Sequence, residues 1–160
     1  MSRLDNFIFR MQAQRDILNH IADNGWVPKD GLILELGLGN GRTYDHLREK
    51  FTTQRIVVFD RSADTHPAST PSEEEIVLGE ISETIKQFAG SGAAFAHIDI
   101  GTIYADTDAS TLTWLPRSIV AVLAQGGLVA SGLPLEHSML QPLPLPSGVT
   151  NGHCYLYRRV

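Results

Sequence analysis

The segment Gly31-Leu32-Ile33-Leu34-Glu35-Leu36-Gly37-Leu38-Gly39-Asn40-Gly41 sets the frame for the rest of the chain. Leu32, Ile33, Leu34 and Leu36 form a near-continuous apolar run, the pattern of a short strand covered on both faces. The glycines end it, and Arg42–Lys50 reads as a helix. Three further runs repeat the pattern: Arg55-Ile56-Val57-Val58-Phe59 stops at Asp60, Ile76-Val77-Leu78 reaches Gly79-Glu80, and Ala93–Ile100 ends at Asp99 or Gly101. Helices are expected over Ile81–Phe88 and over 108–124, where Pro116 forces a kink or restart. Gly126-Gly127 reads as the end of that helix, and Leu128-Val129-Ala130 as the start of a fifth strand. Strands alternating with helices argue an α/β three-layer sandwich, a parallel sheet with helices on both faces.

The flanks read differently. Leu4, Phe7, Ile8, Met11, Ile17 and Leu18 recur at the helical period, so residues 1–25 are expected as an N-terminal amphipathic helix stopped by Asn24-Gly25. Residues 61–75, with Pro67 and Pro71, read as a loop. Residues 133–160 read as a C-terminal tail with edge strands. There Leu140–Pro146 alternates leucine and proline, an extended segment expected to be unable to complete a sheet ladder. His153–Arg159 reads as a last, antiparallel strand. No repeat is visible, and residues 1–160 are expected as a single domain.

Composition narrows the function classes. Apolar residues make up 42% of the 160, enough for a real core and too many for a disordered chain. Thirteen Lys and Arg against 18 Asp and Glu give a net charge of −5, which argues against a general electrostatic grip on nucleic acid or an anionic membrane. No apolar run is long enough to span a bilayer, and Met1-Ser2-Arg3-Leu4-Asp5 lacks the order of a secretory signal. A soluble cytoplasmic protein is expected. The single cysteine, Cys154, excludes an intrachain disulfide and a Cys-rich metal site.

In such a sheet ligands bind beyond the carboxyl ends of the strands, where the unusual residues of this chain fall. The glycine loop lets backbone approach a ligand, and the helix after it offers free N–H groups. A tight strand-to-helix turn would need the same glycines. Glu35, near the end of a buried strand, is a costly carboxylate unless it sits in an internal ion pair, for which an arginine is the expected partner. Asp60, 23 residues beyond Gly37, suits a carboxylate accepting from the ribose hydroxyls of an adenosine-containing ligand, or else a turn cap.

Glu35-Leu36-Gly37-Leu38-Gly39-Asn40-Gly41 resembles the E/D-x-G-x-G-x-G motif of class I S-adenosylmethionine-dependent methyltransferases, and departs from the dinucleotide G-x-G-x-x-G. Asp60 matches that family's ribose-binding acid. Gly79-Glu80-Ile81 is similar to its adenine-contacting third motif, with Glu for the commoner Asp. Ala96-His97-Ile98-Asp99 resembles its fourth motif, and Gly126-Gly127-Leu128-Val129 the turn before strand five. The resemblance runs over about residues 20–132. It implies a Rossmann-like methyltransferase fold with a mostly parallel seven-strand sheet and an antiparallel C-terminal strand, and S-adenosyl-L-methionine as cofactor. The implied cofactor-binding set is Glu35, Gly37, Leu38, Gly39, Asn40, Gly41, Thr43, Asp60, Arg61, Gly79, Glu80, Ile81 and Asp99.

Methyl transfer from a sulfonium needs a positioned nucleophile and a base only for poor acceptors. Asp99 and His97 share one strand face and are the catalytic candidates. For His97 a core role is as good a reading. Tyr44 and Tyr104 could line the pocket or simply pack. Near strand five only Glu136 and His137 offer metal ligands, so no required metal is expected. Cys154 reads as a buried hydrophobe and Glu73-Glu74-Glu75 as a solvated charge run. With no room for an inserted cap, the lid must come from the first helix, the 61–75 loop, the tail or another subunit. The reading is in-line methyl transfer to a small-molecule acceptor, with no nucleic-acid or membrane partner and a possible homo-oligomer. The rivals are a catalytically silent S-adenosylmethionine-binding sensor or assembly protein, and an NAD-dependent oxidoreductase.

Overall fold

The structure, a computed structural model, describes every residue from Met1 to Val160. Seven strands make one sheet: β1 (Ile33–Leu36), β2 (Ile56–Asp60), β3 (Ile76–Leu78), β4 (Ala93–Ile98), β5 (Leu123–Ser131), β6 (Leu140–Pro142) and β7 (Tyr155–Arg159). Their order is β3-β2-β1-β4-β5-β7-β6. The first five are parallel, while β7 runs antiparallel to β5 and to β6. The helices are α1 (Arg3–Asp23), α2 (Arg42–Lys50), α3 (Ile81–Thr84), α4 (Ala105–Leu112) and α5 (Leu115–Val122). The mostly parallel α/β sheet expected from the alternation is the one observed.

Side-chain parity sorts the core into two layers. Ile33, Val58, Phe95 and Ala130 face α1 and α2, while Leu34, Val57, Ala96 and Val129 face α5 and the residues after α3. Both faces are buried, which is why β1, β2 and β4 read as continuous apolar runs. The parity also puts Glu35 and His97, paired in register on neighbouring strands, on the α1–α2 side.

α1 opens with a capping box: the Ser2 hydroxyl accepts from the Asp5 N–H, and the Asp5 carboxylate accepts from the Ser2 N–H and hydroxyl. Its second half buries Ala13, Ile17, Leu18 and Ile21 against the sheet. Its first half stands clear, leaving Leu4, Phe7, Ile8 and Phe9 exposed, so the amphipathic stripe is covered over only half its length.

The break expected at Pro116 is a restart: α4 ends at Leu112 and α5 opens at Leu115, with Pro116 in its first turn, where a missing N–H costs nothing. Two expectations need correction. Gly126-Gly127 does not precede β5 but lies inside it, at the register shift between the Ala93↔Leu123 and Phe95↔Leu128 pairs. Gly126 takes φ +81° there, and a Cβ on Gly127 would come within 2.9 Å of the Ala93 carbonyl, so the glycines make a bulge. The leucine–proline tail does join the ladder. Leu140–Pro142 pairs with β7 at the sheet's outer edge, where a proline is tolerated, and the Leu143 N–H donates to the Leu156 carbonyl beyond it.

Candidate active site

β1 and β4 are neighbours at the point where the strand order turns back, and the loops after them meet there. Gly37 makes the meeting possible. It has φ +93°, and a Cβ on it would lie 2.5 Å from the Asp99 carbonyl oxygen. Gly39 is different: φ is +51°, and a Cβ would find no atom within 4 Å. It holds a turn open rather than a contact tight. Gly41 is the N-cap of α2 and supplies no side-chain cap, leaving the helix's first N–H groups to face outward.

Asp60, at the end of β2, ties this loop down. One carboxylate oxygen accepts from the Leu38 and Gly39 N–H groups at 2.7 and 3.2 Å, and the other from those of Arg61 and Ser62 at 2.6 and 3.3 Å. Beside it Arg61 and Glu80 form a two-pronged ion pair at 2.9 and 3.1 Å, both well exposed. Gly79 donates its N–H to the Asp60 carbonyl, and Ile81 begins α3.

Glu35 is wholly buried. Its Oε1 accepts from the Thr43 hydroxyl at 2.5 Å, and its Oε2 lies 2.8 Å from His97 Nδ1. Its partner is thus a histidine and a threonine, not an arginine. Burial pulls the His97 pKa down, but the charge and hydrogen bond of Glu35, with the charge of Asp99 behind them, outweigh it and hold the value above the ordinary one. His97 is 1% exposed, its Nε2 is buried without a partner, and it lines neither main cavity. Of the two catalytic candidates, only Asp99 lines one.

That cavity, of about 160 Å³, runs from Gly37, Gly39 and Asp99 to Phe7 and Arg10 on α1. A second of about 320 Å³ continues it between α1 and α2, and Phe7, Met11, Gln14, Arg42 and Thr43 belong to both. Of the four sources open for a lid, the exposed half of α1 is the one that lines both cavities, through Phe7 and Met11. The 61–75 segment instead folds onto the start of α2, with the Ser69 carbonyl 2.7 Å from where a Gly41 Cβ would be.

Other candidates fall elsewhere. Tyr44 points into the core, where burial and the Glu75 carboxylate 2.6 Å from its hydroxyl push its pKa up to about 12. Glu75 is thereby no solvated charge, since Arg48 also pairs with it at 3.5 Å. Tyr104 is 66% exposed before α4 and lines neither main cavity. Cys154 is buried, its thiol pushed up to about 12 by burial. No group of three or more His, Cys, Asp or Glu side chains gathers in a metal-binding arrangement, and no helix is long and apolar enough to cross a membrane. The sequence reading missed Arg10, Gln14 and Arg42. Gln14 carried a signal: it interrupts the apolar stripe Met11, Leu18, Ile21 at helical spacing.

A family model described as S-adenosyl-L-methionine methyltransferase matches residues 1–159. The chain belongs to that family. The NAD-dependent alternative falls with this assignment. The methyltransferase is 41% identical, over 100% of its own length and 99% of the other's, to an S-adenosyl-L-methionine methyl transferase from Silicibacter pomeroyi DSS-3, with a TM-score of 0.90. The fold is shared at greater distance. An S-adenosylhomocysteine-bound methyltransferase from Podospora anserina is 15% identical with a TM-score of 0.63, covering 100% of this chain and 80% of that one. A 1,6-didemethyltoxoflavin N1-methyltransferase from Burkholderia thailandensis is 15% identical with a TM-score of 0.57, covering 92% and 78%. No curated protein matches the chain.

The donor set of the methyltransferase fits its cofactor. The space over Gly39, the outward N–H groups of α2 and the carboxylates of Asp60, Glu80 and Asp99 lie around the carboxyl ends of β1 to β4.

Proposed function

We propose that this enzyme methylates a small-molecule acceptor, with the cofactor laid across the carboxyl ends of β1 to β4. Asp60 takes the ribose hydroxyls by giving up its two longer bonds, those from Gly39 and Ser62. Glu80 and the Ile81 N–H meet the adenine. The Arg61 pair that Glu80 must loosen is exposed, and such pairs are worth at most about 1 kcal/mol. Leu38, Asn40 and Thr43 shape the loop between, and Glu35 supports it from below through Thr43. His97 acts as a positioning residue, since its contact is with Glu35.

When bound, S-adenosylmethionine supplies a methyl group already activated on a sulfonium, so the protein's task is to align an acceptor lone pair with the sulfur–carbon bond. Asp99 is the group placed to orient that acceptor or to take its proton. α1 excludes water from the approach with Phe7 and Met11.

The size of that approach carries the proposal. The two joined cavities, about 160 and 320 Å³, are of small-molecule scale and lie under a helix of the chain itself. A protein that only senses the cofactor has no use for such a cleft beside it. The test is to supply methyl-labelled S-adenosylmethionine with a library of small metabolites, and separately with total RNA. Label in the small-molecule fraction is the expected result; label confined to RNA would overturn the acceptor class. Calorimetric titration with S-adenosylhomocysteine and with NAD accompanies it, and only the former should bind.

A further inference from the structure

The cations of the cleft are more numerous than its cofactor end requires. Arg15, Arg48 and Arg61 each pair with a carboxylate. Arg10 and Arg42 make no ion pair and no side-chain hydrogen bond, yet both line the smaller cavity, which holds one protein carboxylate, Asp99. The amino-acid end of the cofactor brings a single carboxylate, enough for one guanidinium. In a chain of net charge −5 a second free cation is not background.

Arg42 also lines the larger cavity, together with His46 and the Asp16-paired Arg15, while Phe7, Met11 and Leu18 supply its apolar wall. Gln14, 3% exposed, lies in the wall common to both, and its Oε1 has no partner. A buried amide oxygen without a partner is an acceptor that calls for an N–H or O–H donor on whatever enters the cleft, and Arg42, not Gln14, is the group that can meet an anion.

We infer that the methyl acceptor is an apolar organic anion, its body against Phe7, Met11 and Leu18 in the cleft between α1 and α2 and its charge against Arg42. The inference rests on the methyltransferase reading of the adjoining cavity. It assigns Arg42 to substrate recognition and leaves Arg10, confined to the smaller cavity, for the cofactor's carboxylate.

The experiment uses two probes of one shape, 1-naphthoate and neutral 1-naphthalenemethanol, titrated into the protein saturated with S-adenosylhomocysteine. Naphthoate should bind at least about tenfold more tightly than the alcohol, and Arg42→Gln should reduce that preference below about threefold. Arg42→Lys, which keeps the charge, should retain most of it, and Phe7→Ala should weaken both probes together. Equal binding of the two probes, a preference that survives Arg42→Gln, or binding of neither would overturn the inference. Failure of S-adenosylhomocysteine to bind at all would contradict the cofactor reading instead, and the inference with it.

Discussion

Glu35 and His97 face each other across β1 and β4, 62 residues apart in the chain, with Oε2 2.8 Å from Nδ1 and neither side chain more than 1% exposed. Removing one member of a buried pair strands the other. His97→Ala should therefore cost about 3–5 kcal/mol in urea unfolding. The apolar double replacement Glu35→Met with His97→Leu should recover much of that loss, because it takes away the stranded charge as well. A double variant no more stable than the single one would contradict this account.

The same pair sets a pH dependence. The His97 pKa is raised in the fold, so its contribution is full below the unfolded value of about 6.5 and is lost as pH climbs through the folded value. His46 works the other way. Burial, aided by the Lys50 charge, depresses its pKa, so its contribution is complete above about pH 6.5 and is lost as pH falls through the folded value. Denaturation midpoints from pH 5 to 9 should thus fall on both sides of a maximum near neutrality. His97→Leu paired with Glu35→Met should flatten the alkaline limb, and His46→Gln the acidic one.

Two glycines of the same loop, two positions apart, should respond oppositely to one methyl group. Gly37→Ala drives a Cβ to 2.5 Å from backbone, at φ +93°, and should unfold or severely destabilise the protein. Gly39→Ala meets open space and pays only for its φ of +51°, roughly 1 kcal/mol. Thermal unfolding should barely register it, while calorimetry should show affinity for S-adenosylhomocysteine reduced at least about tenfold, since the methyl occupies the cofactor's approach.

Asp60→Asn should do both kinds of damage. It exchanges a carboxylate that accepts four N–H bonds for an amide with one acceptor oxygen, a loss of about 1–3 kcal/mol in stability. Affinity for S-adenosylhomocysteine should fall further than the stability change explains. Unchanged affinity would contradict the ribose assignment.

Local chemistry was readable where one segment carries it. β1, β2 and β4 announce themselves because both faces are covered, and the glycine loop because its turns demand positive φ. β6 stayed hidden because Pro142 argues against a ladder, and only the outer edge of the sheet makes it acceptable. The start of β5 was misplaced because a glycine pair ends helices and makes bulges alike. Tyr44 and Glu75 are partners 31 residues apart, which no local pattern encodes. The Glu35–His97 pair was within reach. Each lies two residues before the end-of-strand marker of its own strand, Gly37 or Asp99, and once β1 and β4 are taken as neighbours that common offset puts them side by side.

The hydrogen bonds between Ser2 and Asp5 have a consequence for how the cleft is filled. They hold the exposed first turns of α1 helical without help from the sheet. A molecule arriving beneath Phe7 and Arg10 therefore meets a finished rod and not a coil that must wind around it. Binding in the cleft then costs little conformational entropy in this part of the chain. The far-ultraviolet circular dichroism of the protein should be the same before and after saturation with S-adenosylhomocysteine.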